Sequence, residues 1–227
     1  MTATQATGNN GEAWCMVPAF SLEASYAHLR KADPILGRLI ERFGPHRPRP
    51  TSDPYAALLR AMLFQQLAGA AASAIQRRFF ALYGRDDQTP APQELLASSD
   101  EDLRSVGISR QKAAYMRDLA LHVVDGRLNF AEIAALPDAE VIQRLVTIKG
   151  IGEWTAHMYL MFQLGRPDVL PTGDLGVRQG MHLAYHLPGL PSAGEARAIG
   201  EPWAPYRSVG SLYMWRVAES PQAATAP

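Results

Sequence analysis

The stretch Leu145–Gln179, LVTIKGIGEWTAHMYLMFQLGRPDVLPTGDLGVRQ, decides how the rest of the chain is read. Its first part sets Gly150 and Gly152 on either side of Ile151, after Ile148-Lys149 and before an apolar run from Trp154 to Leu164. Glycines this close ask for a tight turn between helices, because glycine adopts backbone angles closed to other residues. The helix that follows begins with amides that lack an intrahelical acceptor, and its dipole is positive at that end, so the turn suits an anion. Without a Cβ, glycine also lets an anion approach the main chain. Lys149 adds a positive charge beside it, and Ile151 is the expected buried pin. The stretch ends on a carboxylate, Asp174, held in a Pro171-Thr172-Gly173-Asp174 turn ahead of another helix. At this level two roles are open for Asp174, a helix N-cap and a reacting group, and one does not exclude the other.

Outward from this stretch the chain reads as helices joined by short turns. Ser21 caps a helix to about Arg30, and Asp33-Pro34 and Asp53-Pro54 repeat one start signal, a capping aspartate followed by proline at the first helical position. An alanine-rich helix follows Gly69, short helices are expected at about 92–98 and 100–106, and a longer one runs from Ser109 to about Asp125. Two more span Phe130–Leu136 and Ala139–Val146, with Pro137 breaking them and Asp138 capping the second. Beyond the glycine turn, helices are expected over Trp154–Leu164, from Asp174 to about His186, from Ser192 to Ile199, and from Tyr206 to Ala218. No segment sustains strand alternation, so the fold class is all-α. Leu103–Ser109 (LRSVGIS) echoes the rhythm of Leu145–Gly152, helix, glycine turn, helix, as ordinary helical-hairpin chemistry also would.

Bulk properties narrow the function classes. Of 227 residues 47% are apolar and 19% charged, enough to bury a core and too apolar for a disordered chain. The single cysteine, Cys15, excludes a disulfide framework and any cysteine-ligated zinc or iron–sulfur site. No apolar run approaches membrane-spanning length, and the first residues lack the blocks of a secretion signal, so a cytoplasmic location is expected. Lys plus Arg and Asp plus Glu both number 22, so net charge is zero. A nucleic-acid partner would have to be held by a local basic strip, and Arg77, Arg78, Arg104, Arg110, Lys112 and Arg117 cluster mid-chain, although solvated helix faces use the same residues.

The extended hairpin pattern LxxIKGIGxWTA resembles the helix-hairpin-helix DNA glycosylase superfamily, and within it the 3-methyladenine DNA glycosylase II family. The likeness runs from about Ser52 to Ala218 and includes MLFQQLAGAAASAI, LRSVGISRQKAAYMRDLA, LPTGDLGVRQG and EPWAPYRSVGSLYMWR. It implies two helical lobes flanking a cleft: lobe A from residues 21–53 plus 172–227, lobe B from 54–171 with the hairpin at 145–156, and a flexible tail at 1–20. No room remains before Ser21 for the β-containing domain that some members carry, so the pocket would lose a wall.

The resemblance also implies roles. Asp174 matches the catalytic aspartate, and Trp154, Trp215, Met158 and Gln65 are expected around the extruded base. Aromatic faces suit an electron-poor, cationic alkylated purine by stacking and cation–π attraction. DNA contacts are expected from Lys149, Gly150, Gly152 and Thr155, and from Gln66 or Leu67 as the side chain filling the gap left by the base. Main-chain carbonyls of Val146, Ile148 and Ile151 would hold a monovalent cation, Na or K; catalysis itself calls for no cofactor. Relatives that also cut the strand carry a lysine two residues after the second hairpin glycine, where this chain has Trp154. Lys149 stands where proline is common, and Leu175 is apolar where some relatives have an aromatic. Arg207, in the WxPxRS element, is expected to be structural first.

The expected activity is therefore that of a monofunctional enzyme, a monomer acting on damaged double-stranded DNA, which flips an alkylated base and hydrolyses its N-glycosidic bond to leave an abasic site. The alternatives are the same fold acting on oxidised or deaminated bases, or a non-catalytic DNA-binding module that uses the hairpin alone.

Overall fold

Each of the capping signals at Ser21, Asp33-Pro34 and Asp53-Pro54 opens a helix in the computed structural model, which describes residues 20–45, 53–65, 69–220 and 222. The N-terminal tail, Gln66 and Leu67 lie outside the described residues. Ser21 Oγ accepts the Ala24 amide of α1 (Leu22–Ala32) at 3.2 Å. Asp33 Oδ1 accepts the Ile35 and Leu36 amides of α2 (Pro34–Phe43) at 2.9 and 3.1 Å. Asp53 does the same for α3 (Pro54–Phe64). Then come α4 (Gly69–Leu82), α5 (Pro92–Ala97), α6 (Asp100–Ser105), α7 (Arg110–Val124), α8 (Phe130–Ala135) and α9 (Asp138–Leu145). After the glycine turn, α10 (Glu153–Met158) continues as a wider π-helical turn, Tyr159–Gln163. The chain ends with α11 (Leu175–Ala184), α12 (Ala193–Gly200), a 3-10 turn at Glu201–Trp203, and α13 (Arg207–Glu219). Every regular element among the described residues is helical.

One capping expectation is corrected. Asp138 does not cap α9; it is the first helical residue, and Pro137 occupies the cap position without a side-chain bond. The carboxylate turns instead to Arg166, with Nε 3.3 Å from Oδ1. Arg166 also donates to the carbonyls of Ala134 and Leu136, so it ties the end of α8 to the connector that leads to Asp174.

Apolar residues at helical spacing are buried in two separate cores. One is built from α3 to the π-helical turn and centres on Met62, Phe79, Met116, Leu145 and Leu160. The other joins α1 and α2 to α11 and α13 through Leu29, Leu36, Met181, Trp203 and Tyr213. Trp215, on α13, packs against both. The helices α11 and α13 cross closely at Gly180, where a Cβ would lie 2.0 Å from the Met214 carbonyl oxygen, so only glycine fits. The echo between the two glycine turns holds in the backbone. Gly107 and Gly150 have φ of 97° and 83°, and each precedes a buried isoleucine, Ile108 and Ile151.

Of the six mid-chain basic residues, Arg78, Lys112 and Arg117 are engaged within the fold, while Arg77, Arg104 and Arg110 are exposed. Arg78 donates to the Val106 carbonyl, Arg117 binds Asp100 and the Ser98 carbonyl, and Lys112 Nζ donates to the carbonyls of Leu63 and Gln65. Burial holds the Lys112 ammonium below its ordinary pKa.

Candidate active site

The two hairpin glycines meet different requirements. Gly150 is needed by the protein itself: its φ is positive, and a Cβ there would lie 2.4 Å from the ring of Tyr115 on α7. Gly152 has φ −96° and ψ 173°, which any residue adopts, and a Cβ there would meet nothing within 4 Å. Nothing among the described residues asks for glycine at 152. What its absent side chain leaves clear is the approach to the start of α10, where the first helical bond is from the Ala156 amide to the Gly152 carbonyl. The amides of Glu153, Trp154 and Thr155 precede that bond and have no acceptor within the helix.

The hairpin is pinned from behind by residues the linear sequence did not single out. Asp118 on α7 accepts the Lys149 amide at 2.9 Å. That main-chain donor is therefore spent on the fold, and Lys149 offers only its ammonium, which is 73% exposed and 4.0 Å from Asp118 Oδ1. Gln65 Nε2 donates to the Gly150 carbonyl at 2.9 Å. Gln65 thus lies with the hairpin, beside Ser109, Gln111 and Tyr115. Thr155, expected on the DNA face, has its side chain buried at 3% exposure in a groove wall, leaving only its amide at the helix start.

Asp174 sits at the N-terminus of α11 and is 8% exposed. The Asp174 amide closes the turn onto the Pro171 carbonyl at 2.9 Å. The connector before it is held by Ser208, whose Oγ accepts the Val169 amide and donates to the Arg166 carbonyl. Beside it Asp168 takes the Arg207 amide, Nε and Nη2 at 3.2, 2.7 and 2.8 Å. Arg207 is thus engaged in an ion pair within the fold.

Three donors converge on the Asp174 carboxylate. Oδ1 accepts the Val177 amide and the Trp215 Nε1–H, both at 2.8 Å. Oδ2 accepts the Trp154 Nε1–H at 2.6 Å. A carboxylate has about four lone-pair sites, so among the described residues Oδ1 is filled and Oδ2 retains one. Asp174 is thus both a cap and a group with an acceptor site to spare. Asp33, the other buried capping aspartate, differs on this point: Oδ1 takes two amides, and Oδ2 takes Trp203 Nε1 at 2.8 Å and the Tyr185 hydroxyl. All four of its sites are used, which marks it as structural.

Around Asp174 the aromatic faces divide. Trp215 is stacked on Phe162, with centroids 5.8 Å apart and planes at 23°. Trp154 remains 48% exposed although its N–H is engaged. Leu175, the next residue after Asp174, is 62% exposed beside it in sequence. Phe162 also lines a groove of about 290 Å³ with Ala61, Phe64, Thr155, Met158 and Tyr159. Met158 thus lies in the wall of an apolar, partly aromatic recess that Phe162 links to Trp215 and Asp174. Phe162 was not anticipated, because a phenylalanine in an apolar run carries no mark that separates pocket from core. Arg60 brings a charge to the rim, its guanidinium 4.0 Å from the Phe64 ring centroid and bonded to Gln76.

The carbonyls of Val146, Ile148 and Ile151 can be checked against a monovalent cation. Among the described residues, Val146 and Ile151 accept no main-chain bond outside the helices, and Ile148 accepts one, from the Ile151 amide at 3.0 Å. Neutral carbonyl oxygens with open lone pairs at one turn fit a hard monovalent ion.

A family model described as HhH-GPD superfamily base excision DNA repair protein matches residues 59–205. The chain is 34% identical over 203 residues to DNA-3-methyladenine glycosylase 1 of Schizosaccharomyces pombe, covering 88% of this chain and 89% of that relative. It superposes with a TM-score of 0.78 on a solved structure of a 3-methyladenine DNA glycosylase of that yeast in complex with abasic DNA, at 34% identity over 86% of this chain and 97% of that one. A DNA-3-methyladenine glycosidase structure from Bacillus halodurans matches equally well, TM-score 0.78 at 36% identity, covering 91% of this chain and 93% of the other.

Proposed function

The chain belongs to the HhH-GPD superfamily of base excision DNA repair proteins, and on that premise we propose that it is a monofunctional glycosylase that removes alkylated bases of the 3-methyladenine kind from duplex DNA. The observation that carries the proposal is the single open lone pair on Asp174 Oδ2, beside an apolar groove and an exposed tryptophan.

Each part then has a task. The amides at the start of α10, with the cleared space at Gly152 and the Lys149 ammonium, take a DNA phosphate. This local grip suits a chain of zero net charge. Extruding the nucleotide costs roughly a few kcal/mol, least for a damaged base. The groove lined by Phe64, Met158 and Phe162 receives the base, and Trp154 offers it a face. As the C1′–N bond breaks, its electron pair leaves with the base; a methylated purine, already positive, departs neutral without a proton donor. Positive charge gathers on the sugar, and the Asp174 carboxylate in its low-exposure site stabilises it. Water oxygen bonds to C1′, and its proton passes to Oδ2, leaving an abasic site.

No amine stands at Trp154 to form a Schiff base, which supports hydrolysis without strand cleavage. The open carbonyls of Val146, Ile148 and Ile151 would hold a monovalent cation, adding positive charge beside the bound phosphate. The enzyme works as a monomer on DNA in the cytoplasm; among the described residues no helix is long and apolar enough to cross a membrane.

The test uses duplexes bearing alkylated, oxidised or deaminated bases, with alkali to reveal abasic sites. Release from alkylated duplexes without alkali-independent nicks, abolished in Asp174→Asn with DNA binding kept, is expected. A borohydride-trapped adduct would refute monofunctional action, and no release from any lesion would leave a binding module.

A further inference from the structure

The indole N–H groups of Trp154 and Trp215 converge on one carboxylate from two different elements, α10 and α13, 20 and 41 residues from Asp174. A tryptophan that serves only as a stacking surface or as core has no need to point its one donor at the same charged group as a second tryptophan. We propose that both are positioning residues for Asp174, setting the direction of the reacting oxygen through their N–H groups, separately from anything their ring faces do. This rests on Asp174 being the catalytic carboxylate.

The geometry assigns different shares. Trp215 and the Val177 amide fill Oδ1 and stop the carboxylate from exchanging its two oxygens. Trp154 holds Oδ2 from one side and leaves its second lone pair in one direction only. Trp215 is itself fixed, by Phe162 on its face and by Gly176 at its edge, where a Cβ would lie 2.7 Å from Trp215 Cδ1 and 3.2 Å from Asp174 Oδ1. Glycine two residues past Asp174, in the first turn of α11, thus lets the indole reach the carboxylate. Asp33 shows the alternative outcome of the same construction: a tryptophan N–H plus a tyrosine hydroxyl complete the carboxylate and leave nothing for a substrate. One donor fewer separates a reacting carboxylate from a structural one.

The experiment compares the full-length parent with Trp154→Phe, Trp215→Phe and Asp174→Asn. Phenylalanine keeps an aromatic face and removes only the donor. Base release is measured in single turnover at saturating protein with a duplex carrying 7-methylguanine, beside the Kd for a duplex with a non-cleavable abasic analogue and the melting temperature. Bonds to a charged group are worth enough that losing one is expected to slow release by about tenfold or more in each phenylalanine variant, with Kd and melting temperature within error of the parent. Release within about twofold of the parent in both variants, or a loss of release matched by an equal loss of binding, would overturn the proposal. If Asp174→Asn remained active, the catalytic assignment itself would fail, a result distinct from active phenylalanine variants beside an inactive Asp174→Asn.

Discussion

The contrast between Gly150 and Gly152 makes a prediction in which stability and DNA binding move independently. At Gly150 an alanine must adopt a positive φ, which costs about 1–2 kcal/mol, and its Cβ would lie 2.4–2.9 Å from three atoms of Tyr115, so the ring must shift. Overpacking of this kind costs roughly 1–3 kcal/mol more. The sum, about 2–5 kcal/mol, lowers the melting temperature by roughly 4–20 °C for a chain of this size. At Gly152 the φ of −96° is ordinary and, among the described residues, no atom stands within 4 Å of an added Cβ. Alanine there narrows the unfolded ensemble and raises stability by about 0.4–1 kcal/mol. The same methyl group occupies the space through which a phosphate reaches the amides of α10, and loss of a hydrogen bond to a charged group, about 1.5–3 kcal/mol, weakens DNA binding by roughly 10- to 150-fold. Thermal melting and fluorescence anisotropy with an abasic-analogue duplex at one fixed salt concentration read both effects. A Gly152→Ala protein that binds as tightly as the parent, or melts several degrees lower, would show that the open space at Gly152 does not face DNA.

Two further outcomes follow from the buried polar groups. Asp33→Asn puts an amide NH2 against donors that now share the carboxylate, so a loss of roughly 2–4 kcal/mol is expected, while base release per folded molecule at room temperature stays within about twofold; loss of release in a fully folded Asp33→Asn protein would contradict its structural role. Burial pushes the His157 imidazole below its ordinary value, opposed by Glu153 at 3.7 Å. The sign follows from that direction: the neutral ring is the folded form, its contribution is complete above about pH 6.5, and stability falls as pH drops through the lowered folded value. A melting-temperature profile between pH 7 and 5 is therefore steeper in the parent than in His157→Gln, and identical profiles would remove His157 from the account.

The helices, the glycine turn and the carboxylate were legible in the sequence because their signals are local. Ser21, Asp33 and Asp53 cap within three residues, and Gly150 and Gly152 shape a turn between neighbouring helices. Asp138 misled for the same reason: an aspartate after proline looks like a cap, but its carboxylate faced an arginine 28 residues on, which no local rule reports. Asp118, Tyr115 and Phe162 were silent, since each acquires its task only from a residue brought up by another element. The bond from Gln65 to the Gly150 carbonyl was not legible either, because a side-chain amide shows no preference until a particular carbonyl is in reach.

The sequence by itself determined that this is an all-helical chain with a glycine turn between two helices and an aspartate at a helix start, since those follow from backbone angles, periodicity and capping within a few residues. Only the tertiary structure shows how many acceptor sites each buried aspartate keeps. Asp33 and Asp174 are both N-caps in the chain, and the difference lies in donors 152 and 170 residues from the first and 20 and 41 from the second. Two distant donors complete the lone pairs of Asp33 Oδ2, and one leaves Asp174 Oδ2 open; a carboxylate's remaining acceptor capacity is fixed by what folding packs against it.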